Sequence, residues 1–246
     1  ALHDGHISLV KSAKAKKATR IVSIFINPDQ FSPNEDFDKY PSTIKNDLKL
    51  LRKERVDIVF LPNKEEIKKY KIKYKIPNFS IENKLCGKTR PHFFPGVKKI
   101  VTKLFDIIEP DKSFFGEKDF QQYLVIKELC KKMKLKTVIV KCKTVRDKKG
   151  LALSSRNNYL NEKEKKMAQK INKSVKKFLP FFRENLKVGR GTLKLKQDLY
   201  KHGIDSIDYL KIFTEQLTIR KKLNDKCRLF IAVKIGNTRL IDNYKI

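Results

Sequence analysis

Cysteine is scarce: Cys86, Cys130, Cys142 and Cys227 are the four in 246 residues, and no two form a CxxC pair. That argues against a zinc site or a disulfide framework and fits reduced thiols in a cytoplasmic protein. Long apolar runs are missing as well. No stretch approaches the roughly 20 apolar residues of a membrane span, and the opening ALHDGHISLV is not a basic region followed by an apolar one. A soluble protein with no membrane partner is expected. Acidic residues number 27 against 58 lysines and arginines, a formal net charge of +31, which ordinarily points to nucleic acid. Arginine, however, supplies only 11 of the 58, and it is arginine whose planar fork reads bases and phosphates. The lysines are dispersed (KSAKAKK, KKYKIKYK, KKMKLK, KEKK, RKK) as on solvated helix faces, so no specific nucleic-acid surface is expected. The positive field still suits a cleft that attracts polyanionic nucleotides.

What is present is enough apolar residue, 40% of the chain, to bury a sizeable core. The first half alternates short apolar runs with amphipathic segments, the mark of βαβ units and a parallel sheet. Strands are predicted at RIVSIFIN (20–27), VDIVFLP (56–62), within DKSFFGEKD and at KTVIVKC (136–142). Helices are predicted from Ile7 to Lys17, at 43–54 with Ile44, Leu48 and Leu51 on one face, at 97–108 closed by Pro110, and at FQQYLVIKELCKKM. From Thr144 the pattern changes to a polar loop, TVRDKKGLALSSRN, then a lysine-rich helix near 161–178. KVGRGT reads as a turn, LKLKQDLYKHG as a short helix ended by Gly203, and IDYLKIF, CRLFIAVKIG and TRLIDNYKI as strands, the last two joined by a Gly-Asn turn. The fold class is α/β: a Rossmann-like parallel-sheet domain over residues 1–144 and a smaller α+β domain over 145–246, with the loop at 144–157 as its lid. No internal repeat is present, and the low-complexity stretch is 63–75.

Four clusters carry chemistry. His3-Asp4-Gly5-His6 opens a predicted helix, where backbone N–H groups and the dipole favour anions. A phosphate site, a metal pair and simple capping all remain open for HxxH alone. Asn27-Pro28-Asp29-Gln30 follows a strand, where ligands bind in open α/β sheets, although an Asn-Pro turn has a bland reading too. Gly116-Glu117-Lys118-Asp119-Phe120-Gln121-Gln122 follows another strand and opens a helix, with Lys118 a point charge for phosphate. Leu153-Ser154-Ser155-Arg156-Asn157 offers two hydroxyls and a guanidinium suited to a triphosphate.

Together HDGHISLV, VSIFINPDQF with DFDKYP, VDIVFLP, KLFDIIEPDKSFFGEKDFQQ, TVRDKKGLALSSRNNYL and GNTRLIDN resemble the pantothenate synthetases, a family of the nucleotidylyltransferase superfamily with HIGH-type motifs. The likeness runs from residue 1 to 243. It implies ATP-dependent condensation of (R)-pantoate with β-alanine through a pantoyl adenylate, with AMP and pyrophosphate released, in a homodimer. By the same resemblance, Ala1, Leu2, His3, Asp4, Gly5 and His6, Gly116, Glu117, Lys118 and Asp119, and Val145, Leu153, Ser154, Ser155 and Arg156 bind ATP. His3, His6, Lys118 and Arg156 are its catalytic groups. Gln30, Gln122, Asn27 and Tyr40 line the pantoate site, Gln30 also serves β-alanine, and Asp47 helps place Mg²⁺.

The sequence departs from the family at four points. The strand and Pro-Thr-Met-Gly-like turn expected before His3 are not in the sequence, so a further 20 to 30 residues, about one strand and its turns, are expected upstream. RPHFFPG stands at 90–96 for an RPGHFxG pattern, moving the histidine to His92 and placing Pro95 in a loop. Ser42 replaces the arginine of YPR, and KYKIKYKIP lacks a tyrosine-proline-glycine turn. Two other functions compete: a related nucleotidylyltransferase with another acceptor, and a basic nucleic-acid-binding module that has lost catalysis.

Overall fold

The computed structural model describes residues 1–14, 18–32, 35–184, 188–219 and 226–246. They form two compact units, Ala1–Lys143 and Thr144–Ile246.

The first unit alternates helix and strand: α1 (Asp4–Ser12), β1 (Ile21–Ser23), α2 (Ile44–Lys53), β2 (Ile58–Phe60), α3 (Lys64–Lys69), α4 (Leu85–Thr89), α5 (Phe93–Ile108), β3 (Lys112–Gly116), α6 (Phe120–Lys132) and β4 (Val138–Cys142). The strands pair in parallel, β1 with β2 (Ile21 opposite Ile58) and β3 with β4 (Lys112 opposite Val138). They make two separate two-stranded sheets, where the sequence pattern implies one continuous sheet. The core follows the 3.6-residue period. Val97, Ile100, Val101 and Phe105 of α5 meet Ile126, Leu129 and Cys130 of α6 in one cluster, and Ile7, Val10 and Leu51 form a smaller one. Each such side chain contributes about 1.5–3 kcal/mol.

Three expectations need correction here. The first helix starts at Asp4, not Ile7, because His3 caps it; its expected end at Lys17 lies outside the described residues. Helix α2 turns Asp47 and Leu51 inward and leaves Ile44 exposed. Pro95 is not in a loop. It sits in the first turn of α5, where a missing N–H breaks no helical bond.

In the second unit a hairpin over 145–153 leads to a 3₁₀ turn (Ser155–Tyr159), then α7 (Glu162–Glu184), α8 (Val188–Lys201) and the antiparallel sheet of β5 (Ser206–Thr214), β6 (Cys227–Ile235) and β7 (Thr238–Lys245). Ala168, Ile171 and Val175 of α7 and Leu195 and Leu199 of α8 cover Leu210, Leu229, Ile231, Val233 and Leu240 on one sheet face. Gly203, in the left-handed region at φ +85°, ends α8 as expected. Of the predicted turn KVGRGT, Lys187 lies outside the described residues and the rest is helix. Gly191 is small for packing rather than for turning: a Cβ there would lie 2.5 Å from the Phe182 ring. Among the described residues no helix is long and apolar enough to cross a membrane.

Candidate active site

The site begins with the cap of α1. His3 is the N-cap residue, and its Nδ1 accepts from Gly5 N at 3.1 Å; His6, one turn in, accepts from His3 N at 3.3 Å, also through Nδ1. Capping therefore fixes the tautomer. With Nδ1 of each ring an acceptor, the neutral ring carries its proton on Nε2. The two rings lie 4.0 Å apart, tilted by 30°. Burial, then the facing His6, then Lys118 push the His3 pKa down to about 4, and burial lowers that of His6 as well. Near pH 7 the free protein thus holds two neutral imidazoles as N–H donors at a helix start, a site suited to anions.

Lys118 and Asp119 act electrostatically on both rings, so the structure brings the β3–α6 turn to the His pair. The Lys118 ammonium is 3.8 Å from Asp119, while Glu117 pairs with Lys141 at 3.1 Å. A Cβ built on Gly116 meets nothing within 4 Å, so the end of β3 opens onto free space that a ligand can enter. Asp47 is buried beneath. Its Oδ1 accepts from Leu2 N (2.8 Å) and Thr43 Oγ1 (2.9 Å), while Oδ2 accepts no hydrogen bond and lies 3.6 Å from the Ala1 nitrogen. A buried carboxylate oxygen without a hydrogen bond fits a hard cation that takes its other ligands from phosphates and water. No group of three or more His, Cys, Asp or Glu among the described residues would hold a metal by protein ligands alone.

The two glutamines of FGEKDFQQ separate cleanly. Gln121 is buried, accepting from Cys86 N (3.0 Å) and donating to the carbonyls of Ile81 (2.8 Å) and Lys84 (2.6 Å). Gln122 is half-buried, and its amide makes no hydrogen bond among the described residues. The Asn27 turn divides in the same way. Asn27 is buried, its Oδ1 accepting from Asp29 N (3.3 Å) and its Nδ2 donating to Gly96 O (3.1 Å), so one acceptor and one donor position of its amide are committed to the chain. The Gln30 amide, like that of Gln122, has no protein partner among the described residues. Tyr40 packs edge-to-face on Phe31, 5.6 Å between centroids.

In the second unit the predicted polar loop is a tight hairpin instead. Val145 O accepts from Leu153 N, Asp147 Oδ1 accepts from the N–H groups of Lys149 and Leu151, and Gly150 takes φ +93°. Arg146 binds Asp242 through both terminal nitrogens (2.5 and 2.9 Å) and stacks 4.8 Å from the Tyr244 ring. Ser154 caps the following turn by accepting from Arg156 N at 3.4 Å, and Ser155 is buried, which leaves Ser154 and Arg156 as the reachable groups of LSSRN.

Sequence reading gave no role to Arg90 and Gly96 of RPHFFPG, to Gln121 of FGEKDFQQ or to Glu35, which hold the Gln30 turn and the start of α6 in place. Arg90 offered a signal, as an arginine in a chain that otherwise favours lysine.

Neutral imidazole donors at a helix start, a lysine beside them and an open strand end are together chemically suited to phosphate, as nucleotide-using α/β enzymes require. The comparisons narrow this further. The model of the pantoate–β-alanine ligase family matches residues 1–245. The pantothenate synthetase of Carboxydothermus hydrogenoformans is 42% identical, over 99% of this chain and 87% of its own length, and that of Thermosipho africanus 39%, over 98% and 87%. Among solved structures, a pantothenate synthetase from Thermus thermophilus matches with a TM-score of 0.87 at 31% identity, covering 99% of this chain and 89% of that one. The pantoate–β-alanine ligase of Francisella tularensis, complexed with beta-gamma ATP and β-alanine, matches with 0.82 at 36% identity, over 99% and 85%. The chain belongs to the pantoate–β-alanine ligase family.

Proposed function

We propose how this chain carries out the ATP-dependent ligation of pantoate with β-alanine that its family membership defines. A pantoate carboxylate oxygen attacks the α-phosphorus of ATP, the bond from phosphorus to the pyrophosphate oxygen breaks, and pantoyl adenylate remains. The β-alanine amine then adds to the acyl carbon, loses a proton and expels AMP, leaving pantothenate. No enzymic nucleophile is needed; positioning and neutralisation of phosphoryl charge suffice.

The observation that carries this reading is the locked pair of neutral imidazoles beside Lys118. Neutral N–H donors aimed at an α-phosphate stabilise charge as it develops, and Lys118 adds a full positive charge. The residues from Ala1 to His6 and from Gly116 to Asp119 form the first unit's ATP site; in the second unit Ser154 and Arg156 are the groups offered to ATP, and Val145, Leu153 and the buried Ser155 belong to the hairpin and turn that carry them. Gln30 and Gln122, whose amides are uncommitted, hold pantoate, with Gln30 also near β-alanine. Neutral amides suit that task, since a carboxylate pinned by a salt bridge is a poorer nucleophile. Asn27 and Tyr40 shape this neighbourhood through the turn and ring they support. Asp47 would hold Mg²⁺, which when bound neutralises phosphate charge. Four buried, unbridged cysteines support a reducing, cytoplasmic setting, and the family resemblance supports a homodimer.

The test is pantoate-dependent exchange of labelled pyrophosphate into ATP by the purified protein. Exchange that needs pantoate is expected; exchange dependent on a different acid, or none, would refute the assignment.

A further inference from the structure

The two glutamines proposed to hold pantoate come from different parts of the first unit, and one short segment is fastened to the neighbourhood of both. At its start, Gln121, the residue before Gln122, binds three backbone groups of residues 81–86: Ile81 O, Lys84 O and Cys86 N. At its end, Arg90 donates from Nη2 to the carbonyl of Gln30 at 3.0 Å and grips Glu35 through Nε (2.5 Å) and Nη2. Its guanidinium also lies 4.2 Å over the Phe93 ring. The chain leading into this segment and the segment itself have little freedom. The buried Lys98 ammonium holds Pro77 O (2.6 Å), Asn78 Oδ1 (3.1 Å) and Glu82 (2.8 Å), and Glu82 in turn accepts from Phe79 N. Leu85 enters α4 in the left-handed region at φ 44°, a strained conformation that its surroundings must hold. A Cβ on Gly87 would lie 1.5 Å from Glu82 O.

We infer that residues 81–90 act as a spacer fixing the distance between the Gln30 and Gln122 amides, with Arg90 and Gln121 as positioning residues that set which hydroxy acid fits. The inference rests on the pantoate reading of those glutamines. A spacer of this kind gives selectivity, because a site built to hydrogen-bond a hydroxyl discriminates against an acid lacking it only while the donors stay in register. Arg90 is suited to the end position: its planar fork takes a carboxylate and a carbonyl at once, which an ammonium does less well.

The test compares the full chain with Arg90→Met, Arg90→Lys and Glu35→Gln in the exchange assay, using pantoate and 2-hydroxy-3,3-dimethylbutanoate, which lacks the 4-hydroxyl. Arg90→Met is expected to raise the KM for pantoate at least tenfold, leave the KM for ATP within twofold, and lower the preference for pantoate over the smaller acid at least fivefold. Arg90→Lys should recover part of each. A purely structural role would move both KM values together with the melting temperature, and that result, or an unchanged pantoate KM in folded Arg90→Met, overturns the inference. Should Arg90→Met fail to fold, Glu35→Gln decides: a threefold or greater rise in pantoate KM supports the spacer and no rise overturns it. Absence of pantoate-dependent exchange in the unaltered protein would instead overturn the proposed function, and this inference with it.

Discussion

Gly96→Ala concentrates the reasoning into one methyl group. The turn that carries Gln30 rests directly on Gly96, where an added Cβ would lie 2.1 Å from Asp29 O, 2.5 Å from Asp29 C and 2.8 Å from Gln30 N. These are backbone atoms, so no side chain can swing aside. Ordinary contact distances are restored only if the turn retreats by about 1 Å. That retreat strains the Asn27 to Gly96 O bond and the Lys99–Asp29 ion pair of 2.7 Å. Overpacking of this kind costs about 1–3 kcal/mol of stability. Its effect on chemistry is larger, because a displacement of about 1 Å in a positioning group can cost about a hundredfold in rate. Pantoate-dependent exchange should therefore fall about a hundredfold while the protein still melts cooperatively. Gly189→Ala is the control: its Cβ meets nothing within 4 Å on α8, so exchange should be unchanged and the melt equal or slightly higher. Gly96→Ala with a pantoate KM and turnover within threefold of the unaltered protein would refute the link between this contact and the placing of Gln30.

Lys118→Ala should cut adenylate formation by at least two orders of magnitude with the fold intact, since one preorganised charge on a transition state is worth about 3 kcal/mol; near-normal exchange would remove Lys118 from the mechanism. Gln122→Ala should weaken pantoate selectively, by about 1.5–3 kcal/mol for a lost hydrogen bond to a charged ligand, and a change confined to the KM for ATP would contradict its assignment. Stability should also depend on pH through the His pair. The folded His3 titrates near 4 against an ordinary 6.5, so between those values the unfolded chain binds a proton that the folded one does not. This contribution is fully present above about pH 6.5 and is lost as pH falls toward 4; melting curves of His3→Gln should show a shallower decline across that window.

Much of the fold was legible because periodicity and burial act together. The apolar spacing of α5 marked its buried face, and the Gly-Asn turn between β6 and β7 followed from local chemistry alone. The misreadings share a cause, which is tertiary context. Gly189 and Gly191 look like a turn, yet the close packing of α8 on Phe182 is what asks for a small residue. Asp147 and Gly150 look like a mobile loop until Arg146 is seen bound to Asp242, nearly a hundred residues away in sequence. In the site, residue types were legible but division of labour was not. Gln121 and Gln122 are identical in composition, and only the side of α6 on which each falls makes one a structural anchor and leaves the other available.

The basic charge of this chain divides between two kinds of residue. Lysine gives this chain most of its +31, and such charge spreads over solvated faces without demanding a partner. Five of the described arginines behave differently. Arg20 reaches the carbonyls of Glu54 and Arg55, Arg90 binds Glu35 and Gln30, and Arg146 binds Asp242. Arg228 joins Asn243 to Glu215, and Arg239 pairs with Asp208. Each holds together residues far apart in sequence through a fork that an ammonium cannot imitate. Arg90 shares that use of the fork with the other four, at the head of RPHFFPG, where the family pattern also carries an arginine, and this is the physical ground for testing it as a positioning residue.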